Sequence, residues 1–479
     1  MSDQSAAGGT TAESVVGRIV PYLLLAGLGA VLLRNALTPV TNADTLFHLR
    51  FGHEFLGPWP LRDPGTVSSL ATAPWTPTQW LPQVVMAQAE TWFGMAGVSW
   101  LTTAQIMGFA AAVLVACRHR ASLLVAATVT LLVAGVAAGG LSGRPQVLSY
   151  LFTAVTVDAW LRTRADGRVR WWLVPLTWLW AMCHGMWPVA LVIGAVAVTG
   201  GLLDRSTTVR RATREAAVVA GSLVAAGLTP VGPALYRAVV AVGERSDYIP
   251  EWSRPDFLSP HQLVLVAMVA GYLLIRLRGP AVSWTETLFL LLACAWAVYS
   301  ARTAPTAAIV LAPLLASALQ SVLPTRRRPV TRRERRTLIG AAAGLLALLA
   351  VVLPSTTVTA APYPEIDRAL DAVPDGTVVL DEWTEGGYLL WRHPDLDIGM
   401  HGYLDTYTLG EIEAGQQLLA AGPGWTALLE RSRARYAVLA SSTPLVPALE
   451  ARGWQIAARS GDVVILHAPS LPARRRRRS

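Results

Sequence analysis

Residues 171–203 read WWLVPLTWLWAMCHGMWPVALVIGAVAVTGGLL, a predominantly apolar run with arginines before and after it. Arginine-rich loops stay on the cytoplasmic side of a membrane, so both ends of the run must be cytoplasmic and the run must turn back. Two full transmembrane helices need about 40 residues, more than this run contains. The hairpin is therefore short, and its apex at 183–188 is expected below the outer membrane surface. The flanking arginines are Arg162, Arg164, Arg168, Arg170, Arg205, Arg210, Arg211 and Arg214.

Composition supports a membrane environment for the whole chain. Of the 479 residues, 53% are hydrophobic and 15% are charged, whereas soluble domains contain about 25% charged residues. The formal net charge of +9 is explained by arginines at cytoplasmic loop ends. We therefore expect no nucleic-acid partner.

Eleven apolar segments are predicted to span the membrane, and the first is expected to be uncleaved. With the N-terminus cytoplasmic, every arginine-rich loop falls on the cytoplasmic side, which indicates a bacterial inner-membrane protein. The predicted spans lie near 15–37, 96–117, 121–140, 146–161, 171–184, 186–203, 212–230, 260–277, 283–300, 303–323 and 337–354.

Four parts of the chain follow from this topology. Residues 1–14 are predicted to be a cytoplasmic tail and 15–361 a transmembrane domain. Residues 362–469 alternate short helices with β-rich runs, which predicts a small α/β domain. The parity of the spans makes this domain extracytoplasmic, and the arginine-rich tail 470–479 follows it. The fold class is thus mainly α, polytopic, with a C-terminal α/β domain.

Two interfacial helices are predicted in the long first outer loop. Asp44 to Leu56 is amphipathic and too polar to span a membrane, which favours a helix lying on the membrane surface. A second helix is expected to begin at Thr76, because Thr76 and Gln79 have the spacing of a capping box and Pro77 suits the first helical position.

Polar residues at hairpin apices and in outer loops are the candidate site, since such groups are costly near lipid. We expect them to meet in one outer pocket, where arginine forks would suit a lipid-linked phosphate. Each has a structural alternative: an interface anchor, a packed histidine, an ordinary loop acid or, for Asp44, a helix cap. The candidates are Asp44, His48, Arg50, Gln79, Arg144, His184, Glu251, Arg254 and Arg302.

The stretch NADTLFHLRFG at 42–52 resembles the Asp-x-x-(aromatic)-His-Leu element of the GT-C glycosyltransferase superfamily. Other short elements occur in the same order as in that superfamily: Arg144-Pro145-Gln146, His184-Gly185, Glu251-Trp252, Arg302 and Gly386-Gly387-Tyr388. The resemblance covers most of the chain. The chain departs from the superfamily in lacking a second acid beside Asp44 and in having Gln79 where relatives often carry glutamate.

The resemblance implies a hexosyl- or pentosyltransferase that uses a polyprenyl-phosphate sugar and an extracytoplasmic glycan, lipid or protein acceptor, with inversion at the anomeric carbon. Asp44 would be the base, and the cations would bind the leaving phosphate. No cofactor is certain, although a divalent metal is compatible with the family. Two alternatives remain: a catalytically inactive scaffold with the same fold, and a lipid or solute transporter.

Overall fold

A computed structural model describes residues 7–279, 282–323, 328–356 and 362–469, so the predicted arginine-rich tail lies outside the described residues. The chain divides into two compact units. The helical unit comprises Met1–Thr38, Pro77–Pro82 and Ala89–Thr357. The mixed unit comprises Pro39–Thr76, Gln83–Gln88 and Val358–Ser479.

Thirteen helices are described between residues 7 and 356. They are α1 (Ala7–Ala36), α2 (Ala43–Leu56), α3 (Trp80–Arg118), α4 (Leu123–Ala137), α5 (Gln146–Asp166), α6 (Leu173–Cys183), α7 (Pro188–Leu203), α8 (Val209–Gly227), α9 (Ala234–Glu244), α10 (Pro260–Arg276), α11 (Trp284–Tyr299), α12 (Ala304–Val322) and α13 (Arg332–Thr356).

Each of the eleven predicted spans coincides with one of these helices. Within the described residues, five helices are long and apolar enough to cross a membrane: α1, α3, α4 with its following 3₁₀ turn, α12 with its preceding one, and α13. Four more, α6, α7, α10 and α11, are apolar but shorter. The chain is thus a multi-pass membrane protein, and the count of eleven spans stays a prediction.

Helix α12 is the centre of the helical unit. Its residues from Ala304 to Ala316 are all buried, and it packs against α4, α5, α10 and α11. A helix that is apolar on all sides belongs in an interior of this kind. Helices α1 and α13, in contrast, have only 17% and 11% of the residues in their most apolar segments buried, as lipid-facing helices do.

The start of α3 differs from the sequence-based prediction. The helix begins at Trp80 rather than near Thr76, its N-cap residue is Gln79, and no side-chain capping hydrogen bond forms. The predicted capping box is therefore wrong. Pro82 fits in the first turn because backbone N–H groups there lack helical acceptors. The helix kinks at Gly94, whose φ of 60° and ψ of −158° are not helical.

The mixed unit contains the elements α14 (Pro364–Leu370), β1 (Val378–Asp381), α15 (Trp383–Arg392), β2 (Asp397–Ile398), α16 (Leu409–Leu419), α17 (Trp425–Ser432), β3 (Tyr436–Ala440), α18 (Leu445–Glu450), β4 (Gln455–Ser460) and β5 (Val463–His467). The strands form one sheet in the order β2-β1-β3-β5-β4. Strand β1 pairs in parallel with β2 and β3, and β5 pairs antiparallel with β3 and β4. All five strands lie within two residues of the β-rich runs that the sequence contains at 377–380, 397–400, 436–440, 454–458 and 463–466.

Helix α2 packs inside the mixed unit instead of exposing its apolar face. Leu46, Phe47, Leu49 and Phe51 are all at most 6% exposed, and α2 lies against α15. The Phe51 ring packs against the Tyr403 ring in a tilted arrangement, with ring centroids 4.7 Å apart and an interplanar angle of 59°. The amphipathic pattern correctly predicted a helix, but the surface that receives its apolar face is protein rather than lipid.

Candidate functional site

Two arginines share one carboxylate in the helical unit. Arg144 Nη1 donates to Glu251 Oε1 at 2.7 Å, and Arg302 Nη1 donates to Glu251 Oε2 at 2.8 Å. Arg144 stands two residues before α5, Glu251 lies in the 3₁₀ helix Pro250–Trp252, and Arg302 lies in the 3₁₀ turn Ala301–Thr303. Three candidates that are distant in sequence therefore form one ionic cluster with an excess of positive charge.

Neighbouring groups hold this ionic cluster in place. Arg144 Nε donates to Ser142 Oγ at 3.2 Å. The Arg302 guanidinium lies 5.5 Å from the centroid of the Trp252 ring, a distance suited to a cation–π contact. The Ala301 N–H donates to the Ser253 carbonyl at 3.1 Å. The side chains of Arg144 and Arg302 are 11% and 20% exposed, so both charges are partly desolvated and still reachable.

The charge state of Glu251 follows from its two partners. Burial alone would raise the pKa of the Glu251 carboxyl, but the guanidinium groups of Arg144 and Arg302 outweigh burial and hold that pKa below its usual range. Glu251 is therefore a carboxylate near neutral pH. Both oxygens accept charge-assisted hydrogen bonds, which are stronger than neutral ones.

His184 lies at the predicted hairpin apex, directly after α6, and is 5% exposed. Trp180 Nε1 donates to Ser149 Oγ at 2.7 Å, and Ser149 Oγ lies 2.9 Å from His184 Nδ1. The Met186 N–H donates to the same Nδ1 at 3.3 Å. Because Nδ1 accepts this backbone hydrogen bond, the ring proton of a neutral His184 is assigned to Nε2 and the Ser149 hydroxyl to the donor role. The network ties the hairpin to α5, the helix that begins two residues after Arg144.

Asp44 lies in the first turn of α2, in the mixed unit. The N-cap of α2 is Asn42, whose Oδ1 accepts a hydrogen bond from the Thr45 N–H at 3.2 Å. The alternative interpretation of Asp44 as the helix cap is therefore wrong. An acidic residue in a first helical turn is stabilised by the helix dipole, and Asp44 remains partly exposed.

His48 and Arg50, also on α2, make contacts within the mixed unit. His48 is 3% exposed and its Nδ1 lies 2.9 Å from Gln83 Nε2. Arg50 Nη2 pairs with Glu54 at 2.9 Å and donates to the Pro394 carbonyl at 3.2 Å. Both candidates thus help to hold α2 against the rest of this unit.

Gln79 and Arg254 belong to the helical unit. Among the described residues, neither forms a hydrogen bond or ion pair with Arg144, Glu251 or Arg302. Gln79 occupies the N-cap position of α3 without making a capping hydrogen bond. Arg254 is exposed, and the described residues provide it with no ion pair. Arg254 is therefore a natural comparison for Arg144, since both are arginines of the same unit.

Sequence reasoning missed two polar residues that matter here, Gln83 and Ser149. Each lies inside an apolar helical segment and makes its contact to a histidine that is 35 positions away. A polar residue within an apolar run is the only signal that the sequence offers for them. Over the described ranges, no three His, Cys, Asp or Glu side chains come together as a metal site requires.

Comparison with known proteins gives similarity in structure only. No protein-family model matches the sequence, and no curated protein matches it either. The archaeal oligosaccharyltransferase AglB from Archaeoglobus fulgidus, solved with an inhibitory peptide and dolichol-phosphate, aligns with a TM-score of 0.54 and 11% identity over 89% of this chain and 70% of AglB.

ArnT from Cupriavidus metallidurans aligns over almost its whole length. In the apo state the TM-score is 0.56 with 14% identity, covering 95% of this chain and 98% of ArnT. Bound to undecaprenyl phosphate, ArnT aligns with a TM-score of 0.53 and 15% identity, covering 94% and 98%. The chain thus shares the fold of AglB and ArnT, in agreement with the fold that the sequence resemblance implied.

Proposed function

We propose that this protein is an integral membrane glycosyltransferase that moves a sugar from a polyprenyl-phosphate donor to an extracytoplasmic acceptor of the cell envelope. The observation that carries the proposal is the ionic cluster of Arg144, Glu251 and Arg302 on a fold shared with such enzymes. Two neighbours were solved with dolichol-phosphate and with undecaprenyl phosphate. A polyprenyl phosphate is the corresponding ligand proposed here.

The arginines would act on the phosphate. A guanidinium presents several N–H donors in a planar fork that matches phosphate oxygens. As the bond between the anomeric carbon and the phosphate oxygen breaks, that oxygen gains negative charge. Arg144 and Arg302 would stabilise this charge, because two guanidinium groups with a single carboxylate between them leave an excess of positive charge at this place.

Asp44 would act as the general base. Its carboxylate would take the proton from the acceptor hydroxyl while the hydroxyl oxygen bonds to the anomeric carbon. The polyprenyl phosphate leaves from the opposite face, so the configuration at that carbon inverts. Every bond formed or broken is then accounted for: one proton goes to Asp44, and one electron pair goes to the phosphate.

The test is Asp44→Asn in membranes from a deletion strain. The donor is the radiolabelled polyprenyl-phosphate-sugar fraction extracted from that strain, and the acceptor is its own envelope. Loss of a general base costs about 10²- to 10⁴-fold in rate. We expect transfer to fall by this factor at normal protein levels. Full activity of Asp44→Asn would refute the assignment of the base.

Transport is the contrasting function, and the same strain separates the two. A transferase deletion leaves lipid-linked sugar accumulated and an envelope glycan missing. A transporter deletion leaves the transferred product unchanged when donor and acceptor are supplied on the same side of the membrane. Label transfer in detergent, where no compartments exist, would require an enzyme.

A further inference from the structure

Helix α2 and helix α15 approach each other through a glycine. A Cβ atom at Gly387 would overlap the carbonyl oxygen of Ala43 and would lie 2.8 Å from its carbonyl carbon. Real Cβ atoms essentially never approach other heavy atoms this closely. That carbonyl carbon is bonded to the backbone nitrogen of Asp44. Position 387 therefore contacts the peptide group that carries the proposed base.

The preceding residue fixes the other side of α15. A Cβ atom at Gly386 would overlap Asp381 Oδ2 and would lie 2.6 Å from the Cα atom of His401. Asp381 ends strand β1 and is 1% exposed, and its Oδ1 accepts a hydrogen bond from the Met400 N–H at 2.6 Å. The two glycines thus place α15 between the sheet and the first turn of α2.

The rest of α2 is held by different contacts. His48 Nδ1 lies 2.9 Å from Gln83 Nε2, and the Phe51 ring packs against the Tyr403 ring. These contacts lie one to two turns beyond Asp44. A change at position 387 would therefore displace the first turn while the centre of the helix stays anchored.

We propose that Gly387 is a positioning residue for Asp44: its missing side chain lets the C-terminal α/β domain set where the carboxylate stands. This inference rests on the proposed function. It assigns to the domain a part in the reaction that none of the sequence motifs specified. A base that is misplaced by about 1 Å can cost 10²-fold in rate, whereas binding of the lipid phosphate would be unaffected.

The experiment compares Gly387→Ala with Gly410→Ala in the purified full-length protein. Gly410 lies in α16 of the same unit, is exposed, and has no heavy atom within 4 Å of the position that a Cβ would take. For Gly387→Ala we expect kcat to fall by about 10- to 100-fold. We expect the donor KM and the Kd for undecaprenyl phosphate to stay within about twofold of wild type. Gly410→Ala should leave all three unchanged.

A second variant keeps the test decisive if Gly387→Ala does not fold, which size-exclusion chromatography and a melting curve will show. Ala43→Gly adds no atoms and only loosens the first turn of α2. We expect a smaller fall in kcat, with KM and Kd again unchanged. Wild-type kcat in a folded Gly387→Ala would overturn the positioning role. If Gly387→Ala does not fold, wild-type kcat in Ala43→Gly would overturn it instead.

The proposed function fails in a different way. If the wild-type protein transfers no label in detergent, the proposed glycosyltransferase function fails, whatever the glycine variants do. If the wild type transfers label and Asp44→Asn keeps full activity, the transferase function stands but Asp44 is not its base, and the positioning role loses its premise. If Asp44→Asn is inactive and the folded Gly387→Ala has wild-type kcat, the function stands and only the positioning role is refuted.

Discussion

At the residue scale, the sharing of one carboxylate by two arginines is the main electrostatic feature of the helical unit. Glu251 satisfies one donor on each of Arg144 and Arg302. In the proposed function, the guanidinium groups of Arg144 and Arg302 would bind the phosphate beside this carboxylate. Arg254, three residues beyond Glu251, is exposed and makes no ion pair with any described residue. Comparing variants of Arg144 and Arg254 therefore distinguishes a specific contact with the phosphate from a general effect of positive charge.

Replacing Arg144 by alanine should weaken donor binding. A hydrogen bond to a charged group contributes about 1.5–3 kcal/mol. The donor KM should therefore rise about 10- to 100-fold. Arg254→Ala, with its solvated guanidinium, should stay within about twofold of wild type. Both are measured in the label-transfer assay over a range of donor concentrations. Equal KM values for the two variants would contradict the assignment of Arg144 to the phosphate.

The charge of Glu251 gives a pH prediction. Because its pKa is lowered in the folded protein, the stability that its ionisation contributes is present above the ordinary glutamate pKa of about 4.3. That stability is lost as the pH falls through the lower folded value. Acidification from about pH 6, above the ordinary glutamate pKa, to about pH 3, below it, should therefore reduce the melting temperature more in wild type than in Glu251→Gln.

Glu244→Gln is the control for this comparison. Glu244 is an exposed residue at the end of α9 in the same unit. Its variant should follow the wild-type pH profile. If Glu251→Gln follows the wild-type profile as well, the two arginines do not depress the pKa of Glu251 in the folded protein.

At the element scale, buried ion pairs join helices that the sequence shows only as separate apolar segments. Glu215 on α8 is fully buried, pairs with Arg164 on α5, and accepts a hydrogen bond from Arg211 Nε at 2.9 Å. Removing one member of such a group leaves an uncompensated buried charge. From the sequence, Arg164 and Arg211 were predicted only to be arginines at cytoplasmic loop ends. A sequence does not show which acidic residue they pair with.

Glu215→Ala should therefore destabilise the helical unit. The expected cost is about 3–5 kcal/mol, seen as a lower melting temperature of the detergent-solubilised protein. Arg210→Ala, at an exposed position of the same helix, should change stability by at most about 0.5 kcal/mol. A Glu215→Ala melting temperature equal to that of Arg210→Ala would show that the pairing with Arg164 contributes nothing.

At the scale of the whole molecule, the arginine distribution predicts which parts of the chain face each side of the membrane. The loop before α8 and the first turn of α8 should be cytoplasmic, and the α/β domain should be extracytoplasmic. Arg210 and Gly410 are exposed residues in these two regions. Cys117 and Cys183 are buried and Cys294 is partly buried, so native thiols should give little background in a labelling experiment.

Cysteine labelling tests this topology. An impermeant maleimide added to intact spheroplasts should label Gly410→Cys. Arg210→Cys should be labelled only after the membrane is permeabilised. Labelling of Arg210→Cys in intact spheroplasts would contradict the positive-inside assignment of the loop before α8, and with it the predicted position of the C-terminal domain.

How far the sequence predicts the fold depends on the kind of signal. Apolar runs and β-rich runs are local, and they located all eleven candidate helices and all five strands. The predicted start of α3 was wrong, because the capping-box spacing at Thr76 is only a weak local signal for where a helix begins. The helix begins four residues later, at Trp80. Helix α9 was not predicted at all, since it is short and lies between longer segments.

The candidate site was predicted in part. Arg144 and Arg302 were chosen because they lie at predicted hairpin apices, and Glu251 because it lies in a predicted outer loop. The structure brings these three residues together. His184 and His48 were selected as well, but their partners Ser149 and Gln83 were not. Such partners are specified by helix packing, which joins residues far apart in sequence. The meeting of all candidates in one pocket stays a prediction.

The sequence by itself determined that the chain lies in a membrane and where its helices and strands lie, because hydropathy and charge are properties of each residue along the chain. It also indicated which polar residues lie where such groups are costly, and these are the candidate site residues. Only the tertiary structure decided what they contact: which carboxylate neutralises the arginines, and that α2 packs on protein through Gly387 rather than on lipid. An amphipathic face specifies that it must be buried, whereas the partner that buries it depends on contacts across hundreds of residues.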